Sequence, residues 1–299
     1  MTGLAVVVAL STTSAGVAAR PATDPVAPSS SSSLNAVRCS VLWDLLNAGG
    51  RNGPVAVGLT QDQRLIKFAV NRPQSACTIG AISLPGISPL VGIDYRVQDG
   101  KLYGVSTTGA IYTLSTSTAA PTFVSQLTVD LNGTSFGVDF NPAADRLRIV
   151  SNTGANLRHN VNAGGTTVAD TVLTFPPLPA AALGVAGAAY TNNDLSPVTA
   201  TTLFDIDTVV DQVVLQSPAN AGQLVPTGQL GVVADPRAGF DIYSALRGGR
   251  AVSNSAYAVF NGTGLSRVYK IDPLTGEAQT TGAFGASDLV TDLALQLTQ

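Results

Sequence analysis

Residues 133–160 read GTSFGVDFNPAADRLRIVSNTGANLRHN, and this stretch decides the fold. Phe136 to Phe140 and Arg146 to Val150 have strand character and are joined by a turn at Asn141-Pro142; a Gly-containing turn then leads to a third strand from Asn156. Weaker copies of the unit stand on both sides of it. Gly92-Ile93-Asp94-Tyr95, Gly137-Val138-Asp139-Phe140, Gly187-Ala188-Ala189-Tyr190 and Gly239-Phe240-Asp241-Ile242 align as one pattern. Their third positions fall at 94, 139, 189 and 241, so the gaps are 45, 50 and 52 residues. That period is the length of a four-stranded β-propeller blade.

Three further strand-like runs follow each copy: after the first, Lys101 to Ser106, Ala110 to Thr116 and Pro121 to Thr128. The fourth unit repeats this with Thr201 to Asp207, Gln212 to Pro218 and Gly222 to Leu230, and the fifth with Ser255 to Asn261, Ser266 to Pro273 and Glu277 to Gly285. Each unit is therefore a meander. Only three strands precede the first copy (Val55 to Thr60, Arg64 to Ala69, Ala76 to Leu84), and only one follows the last (Val290 to Leu297). Aligning Leu293 with Ile93 and Leu295 with Tyr95 makes that final strand the missing inner strand of the first blade. The expected fold is all-β, a closed propeller of five four-stranded blades over residues 55–299, or of six if Leu34 to Arg51 is strand. A ring leaves only short, protected edges, so no capping units are needed.

Composition agrees with many short strands. Charged residues make up 12% of the 299, there are 30 Gly and 17 Pro, and Glu277 is the single glutamate. A helical protein needs more Glu, Lys and Arg for its wet faces. The net charge of -3 offers no basic field for a polyanion, so nucleic acid is not an expected partner.

The N-terminal residues point to export. Leu4 to Leu10 is an apolar run followed by small residues, which reads residues 1–19 as a secretory signal, truncated at its start because the positively charged opening is missing. Seven apolar residues cannot span a bilayer, which takes about 20. Residues 20–33, with their serine run, read as a disordered linker. Within residues 34–50, Val37, Val41, Leu42, Leu45 and Leu46 have helical spacing, giving a helix docked on the propeller. Cys39 and Cys77 are the two cysteines and are expected to pair in an oxidising compartment, pinning that helix.

The string TSFGVDFNPAADRLRIVSNTGANLR, with LVGIDYR, GKLYGVSTTGAIYTL and GAAYTNN around it, resembles the bacterial domain-of-unknown-function family 4394. The resemblance covers about Val55 to Leu297. It implies an exported repeat-β protein and carries no activity that transfers.

Several residue groups could carry chemistry. Gly133-Thr134-Ser135-Phe136-Gly137 matches the G-x-S-x-G nucleophile elbow, but an elbow needs a helix after the serine and here a strand follows. Asp94, Asp139 and Asp241 share one inner-strand position, where converging carboxylates could bind Ca²⁺ or serve as the acid/base set of a glycosidase. Ala189 and Ala294 hold the same position in the other two blades. The competing reading is that each Asp accepts backbone hydrogen bonds from the neighbouring blade. Arg146, Arg148, Arg158 and His159 are the densest basic group and candidates for holding a carboxylate or phosphate. A hairpin loop at Asn152 to Ala155 would set Arg148 across from His159, and the arginines could instead pair with Asp139 and Asp145 across blades. No zinc spacing, phosphate loop or dinucleotide fingerprint stands out, and neither metal nor cofactor is predicted. Taken together, the residues predict a secreted, monomeric propeller that binds an extracellular ligand or protein; a secreted hydrolase using the inner carboxylates is the alternative.

Overall fold

A computed structural model describes Met1, Gly3 and residues 38–47, 52–86, 88–262 and 264–298. Apart from Met1 and Gly3, the expected signal and linker lie outside the described residues.

The described residues form five four-stranded antiparallel sheets. Strand β1 (Val55–Thr60), β2 (Arg64–Ala69) and β3 (Cys77–Ala81) belong to the first blade. The second holds β4 (Leu90–Tyr95), β5 (Leu102–Ser106), β6 (Ala110–Leu114) and β7 (Pro121–Gln126). The third holds β8 (Phe136–Asn141), β9 (Arg146–Ser151), β10 (Asn156–His159) and β11 (Thr167–Ala169). The fourth holds β12 (Val185–Tyr190), β13 (Leu203–Asp207), β14 (Gln212–Gln216) and β15 (Leu224–Gln229). The fifth holds β16 (Gly239–Arg247), β17 (Arg250–Phe260), β18 (Arg267–Ile271) and β19 (Ala278–Ala283). The last strand, β20 (Val290–Leu295), returns to the first blade and pairs antiparallel with β1, Leu293 opposite Gly58 and Leu295 opposite Ala56. The ring is thus a five-bladed propeller closed by its C-terminal strand, and the six-bladed alternative does not hold: the described part of residues 34–51 supplies a helix, not strands.

Each blade is a sheet with a neighbour on both faces, which is why most inner and middle strands are largely buried. β5, β12 and β13 have no exposed residue, whereas the outer strands β7 and β15 are half open. Five apolar clusters result, one per blade interface. Val57, Leu59, Ile93 and Tyr95 belong to the first–second interface, and Phe68, Val259, Val290 and Leu293 to the fifth–first. Tyr95, Phe140 and Tyr190, which recur beside the Asp position, are all buried in these clusters.

The recurrent glycine explains how five inner strands fit round one axis. A Cβ on Gly137 would lie 2.5 Å from the Ala188 nitrogen, and one on Gly239 would lie 2.7 Å from the Asp292 Cα. Neighbouring backbones approach too closely for any side chain at these positions.

Two features depart from the expected strand boundaries. β16 and β17 run on past the other blades' hairpins and turn at Gly248-Gly249, whose φ values of 59° and 74° suit a two-residue turn with both residues left-handed. The β9–β10 turn is one residue tighter than expected. Gly154, at φ 86°, ends a three-residue turn, so Arg148 lies opposite Arg158 and His159 opposite Leu147.

A short helix α1 (Val41–Asn47) sits before the first blade, with the Ser40 hydroxyl accepting the Trp43 N–H at its start. The Cys39–Cys77 disulfide is formed. Trp43 is the side chain that docks: it is buried, its indole N–H donates to the Ser75 carbonyl, and Lys67 lies over its ring while pairing with Asp44. Val41, Leu45 and Leu46, whose spacing suggested the helix, are exposed. The remainder of residues 34–50 lies outside the described residues.

Candidate functional site

The inner strands bring four carboxylates together at the axis. Asp94, Asp139 and Asp241 each place an oxygen within 4.8 Å of the others. The fourth is Asp292 on β20. It stands two residues before the shared position, where the other blades have Gly92, Gly137, Gly187 and Gly239, and its side chain therefore points the same way. All four are buried, at 2–6% exposure.

Each carboxylate reaches across a blade boundary to a backbone donor. Asp94 accepts the Phe140 N–H at 2.7 Å, Asp139 the Tyr190 N–H at 3.2 Å, Asp241 the Leu295 N–H at 2.5 Å and Asp292 the Ile93 N–H at 2.7 Å. At the remaining interface, where the position holds Ala189, the Ile242 N–H turns instead to Asp241. The carboxylates satisfy N–H groups on inner strands, which are the edge strands of their sheets and have a ladder partner on one side only.

No described cation pairs with these groups, so the electrostatics favour protonation. Burial raises Asp94, Asp139 and Asp292 well above the usual carboxylate range, with the mutual repulsion of the cluster adding to it. Burial also raises Asp241, to about 7. A spread of 4.8 Å is compatible with one cation between the oxygens, since Ca–O distances are about 2.3–2.6 Å. Ca²⁺ takes roughly six to eight oxygens, however, and at least one oxygen of each carboxylate is already turned toward a backbone N–H. A glycosidase needs both carboxyls in contact with the sugar; here the four carboxylates are buried and each spends an oxygen on a backbone N–H across a blade boundary.

The basic group is assembled in the third blade, where two of its three arginines share one carboxylate, Asp170. Arg148 is buried and donates to Asp170 at 2.7 Å, to Asn156, to Asn220 and to the Tyr190 hydroxyl. Arg158 grips the same Asp170 with two bonds of 2.6 and 2.8 Å. Burial would raise Asp170, but the two guanidiniums outweigh it and hold the group below the usual range. Arg146 donates to the carbonyls of Ala144 and Asp145. His159 is sealed between the hydroxyls of Ser125 and Thr167, and burial lowers its pKa. The expected cross-blade ion pair at Asp145 forms with Arg96 rather than with this group, and Asp139 pairs with backbone. Ser135 stands directly before strand β8, so a strand and not a helix follows it.

One of several open cavities lies at the end of the axis where the inner strands begin, and it is the one lined by four blades. A cup of about 280 Å³ is lined by Gln61 and Thr291 of the first blade, Thr107 of the second, Ser135 of the third and Arg237 just before the fifth. Leu90 and Phe136 supply apolar wall. The carboxylates of Asp94, Asp139 and Asp241 lie three or four residues further along these strands, about 10–13 Å deeper at some 3.3 Å per residue, and none of them lines the cup. Sequence reasoning missed both Asp292 and this cup. Aligning Asp292 with Gly92 would have shown the first; the second is assembled from turns and strand starts that share no motif.

Among solved structures, a Bacteroides thetaiotaomicron protein of unknown function shares 15% identity over 77% of this chain and 55% of its own, at a TM-score of 0.41. An auxiliary nutrient binding protein from the same organism shares 13% over 79% and 60%, at 0.42. A putative 6-phosphogluconolactonase from Bacteroides uniformis shares 9% over 82% and 100%, at 0.39. The chain spans about half the length of the first of these, and such distant likenesses assign it no chemistry. No curated protein matches the sequence. The chain belongs to the family described as Domain of unknown function (DUF4394), whose sequence model matches residues 64–294.

Proposed function

We propose that this propeller is an exported binding protein that takes a small ligand in the cup at the start of the inner strands. The observation that carries this reading is convergence: four blades direct strand starts and turns into one concave space with polar groups and an apolar wall. The titratable groups argue for binding rather than catalysis. The carboxylates are buried and bonded to backbone donors, Arg148 and Arg158 both engage Asp170, and His159 is enclosed by hydroxyls. Export is supported by the Cys39–Cys77 disulfide, which persists in oxidising compartments, and by the apolar run at Leu4 to Leu10. No helix among the described residues is long and apolar enough to cross a membrane.

A thermal-shift screen of small metabolites tests the reading, run in parallel on wild type and on Thr107→Trp, which fills the cup. A ligand at about 100 times its Kd stabilises by roughly 2.7 kcal/mol. The expected result is stabilisation of wild type that Thr107→Trp abolishes; hits acting equally on both proteins would count against the cup. Fractionation of the native host, with mass analysis of the mature chain, tests export: the protein should lie outside the cytoplasm and lack residues 1–19.

A further inference from the structure

We infer that the cup recognises a small hydroxylated organic anion, its charged oxygens paired with Arg237 and its hydroxyl groups with Gln61, Thr107 and Ser135. This rests on the cup being the binding site and names what it takes. The chain carries 19 acidic and 16 basic residues, yet the lining of the cup contains one arginine and no carboxylate.

Four of the other arginines are tied to acids. Arg64 pairs with Asp62 and Asp288, Arg96 with Asp145, and Arg148 and Arg158 with Asp170. The Arg237 guanidinium is exposed and has no partner among the described residues. Its nearest acid in sequence, Asp235, is already committed: one oxygen accepts the Arg237 backbone N–H at 2.8 Å and the other the Asn261 N–H at 2.5 Å. A free guanidinium beside a concave wall is a bidentate receptor for carboxylate or phosphate oxygens.

The polar groups around it divide into used and unused. Gln63 clamps the Leu90 N–H and carbonyl, Thr134 accepts from Asn152, and the Thr291 hydroxyl donates to Leu59. The Gln61 amide and the Thr107 and Ser135 hydroxyls make no side-chain hydrogen bond to described residues, and Ser135 is buried. These three can each donate and accept, which suits ligand hydroxyls. At about 280 Å³ the cup falls just under the ~300–1,000 Å³ of pockets for drug-sized ligands, so the molecule is small.

The test uses the purified chain, with glucuronate, malate and inorganic phosphate as anions and glucose and glucuronate methyl ester as neutral counterparts. Titration calorimetry and thermal shift are run on wild type, Arg237→Gln, Arg237→Lys and Thr107→Trp. Glucuronate or malate should bind wild type, with glucose and glucuronate methyl ester at least tenfold weaker than glucuronate where glucuronate binds; binding of phosphate alone would overturn the organic-anion inference. Arg237→Gln should weaken the anion tenfold or more without moving the unliganded Tm, and Arg237→Lys should restore part of the loss. Neutral compounds binding as tightly as anions, with Arg237→Gln silent and Thr107→Trp blocking, would overturn the anion inference and leave the cup standing. Anions binding Thr107→Trp as well as wild type would overturn the cup and the inference together. A wild type that binds none of the anions would overturn the inference.

Discussion

The Asp292 carboxylate of the first blade accepts the Ile93 N–H of the second at 2.7 Å, and this bond joins the last strand of the chain to the ring it closes. At the adjacent Gly92 a Cβ would lie 2.4 Å from the Val138 side chain and 3.2 Å from the same carboxylate oxygen. Three other Asp-to-backbone bonds repeat the device at other interfaces. The axial carboxylates are therefore first of all part of the closure of the fold. Their cost is that four acids share one buried space.

That cost is pH-dependent. Burial raises Asp241 to about 7 from an ordinary value of 3.8, and Asp94, Asp139 and Asp292 are raised as well. A raised carboxylate binds its proton more tightly folded than unfolded, so its contribution is intact below about pH 4 and is lost as pH rises through the folded value. For Asp241 alone the loss is at most roughly 4 kcal/mol at 1.36 kcal/mol per unit. Wild-type Tm should fall between pH 5 and 8, and Asp241→Asn, which keeps an acceptor for the Leu295 N–H, should flatten that fall. A wild-type Tm that climbs over the same range would refute the protonated cluster.

The blade count and closure were legible because an inner-strand pattern recurs at blade length and the incomplete first and last units add up to one blade. Asp292 escaped because it occupies the glycine position rather than the Asp position. Arg148 was set against His159 because the turn was read as four residues, and Gly154 makes it three. The cup was not legible at all. Gln61, Thr107, Ser135 and Arg237 are brought together only by the ring, and no periodicity or local motif relates them.

Space and backbone conformation can be separated at two glycines. Gly137 has an ordinary φ, but a Cβ there meets the Ala188 nitrogen at 2.5 Å and the Gly187 carbonyl carbon at 2.6 Å. Backbone cannot move aside, so Gly137→Ala should cost about 3 kcal/mol or more and lower the yield of folded protein. Gly164 has φ 73° with nothing within 4 Å of the added Cβ, so Gly164→Ala should cost only about 1 kcal/mol. Chemical denaturation compares the two; equal losses would show that the close approach of β8 and β12 does not matter.

Arg96 and Asp145 tie the second blade to the third by two parallel bonds of 2.7 and 2.6 Å. The Arg96 hydrogen bond holds Asp145 below the usual carboxylate range despite its partial burial. Arg96→Ala should cost about 2–3 kcal/mol, because it strands a partly buried carboxylate, and Arg96→Lys about half that, because one of the two bonds survives. The Asp145→Asn partner in a double-mutant cycle should show coupling. Additive losses would mean that the pair is incidental to the interface.

Trp43 is the chain's only tryptophan, so its emission reports the docking of α1 without interference. The helix is seven residues long and is too short to be stable on its own. What holds it is the Cys39–Cys77 bond, the indole N–H on Ser75 and Lys67 against Asp44. The disulfide separates residues by 38 positions, which in the chain-entropy treatment stabilises the fold by at most about 4 kcal/mol. Cys39→Ser combined with Cys77→Ser should shift Trp43 emission to the red and lower Tm by several degrees, while the β-type circular dichroism stays, because the five blades close without α1. Loss of the β signal at room temperature would instead make the bond a condition for the propeller to form.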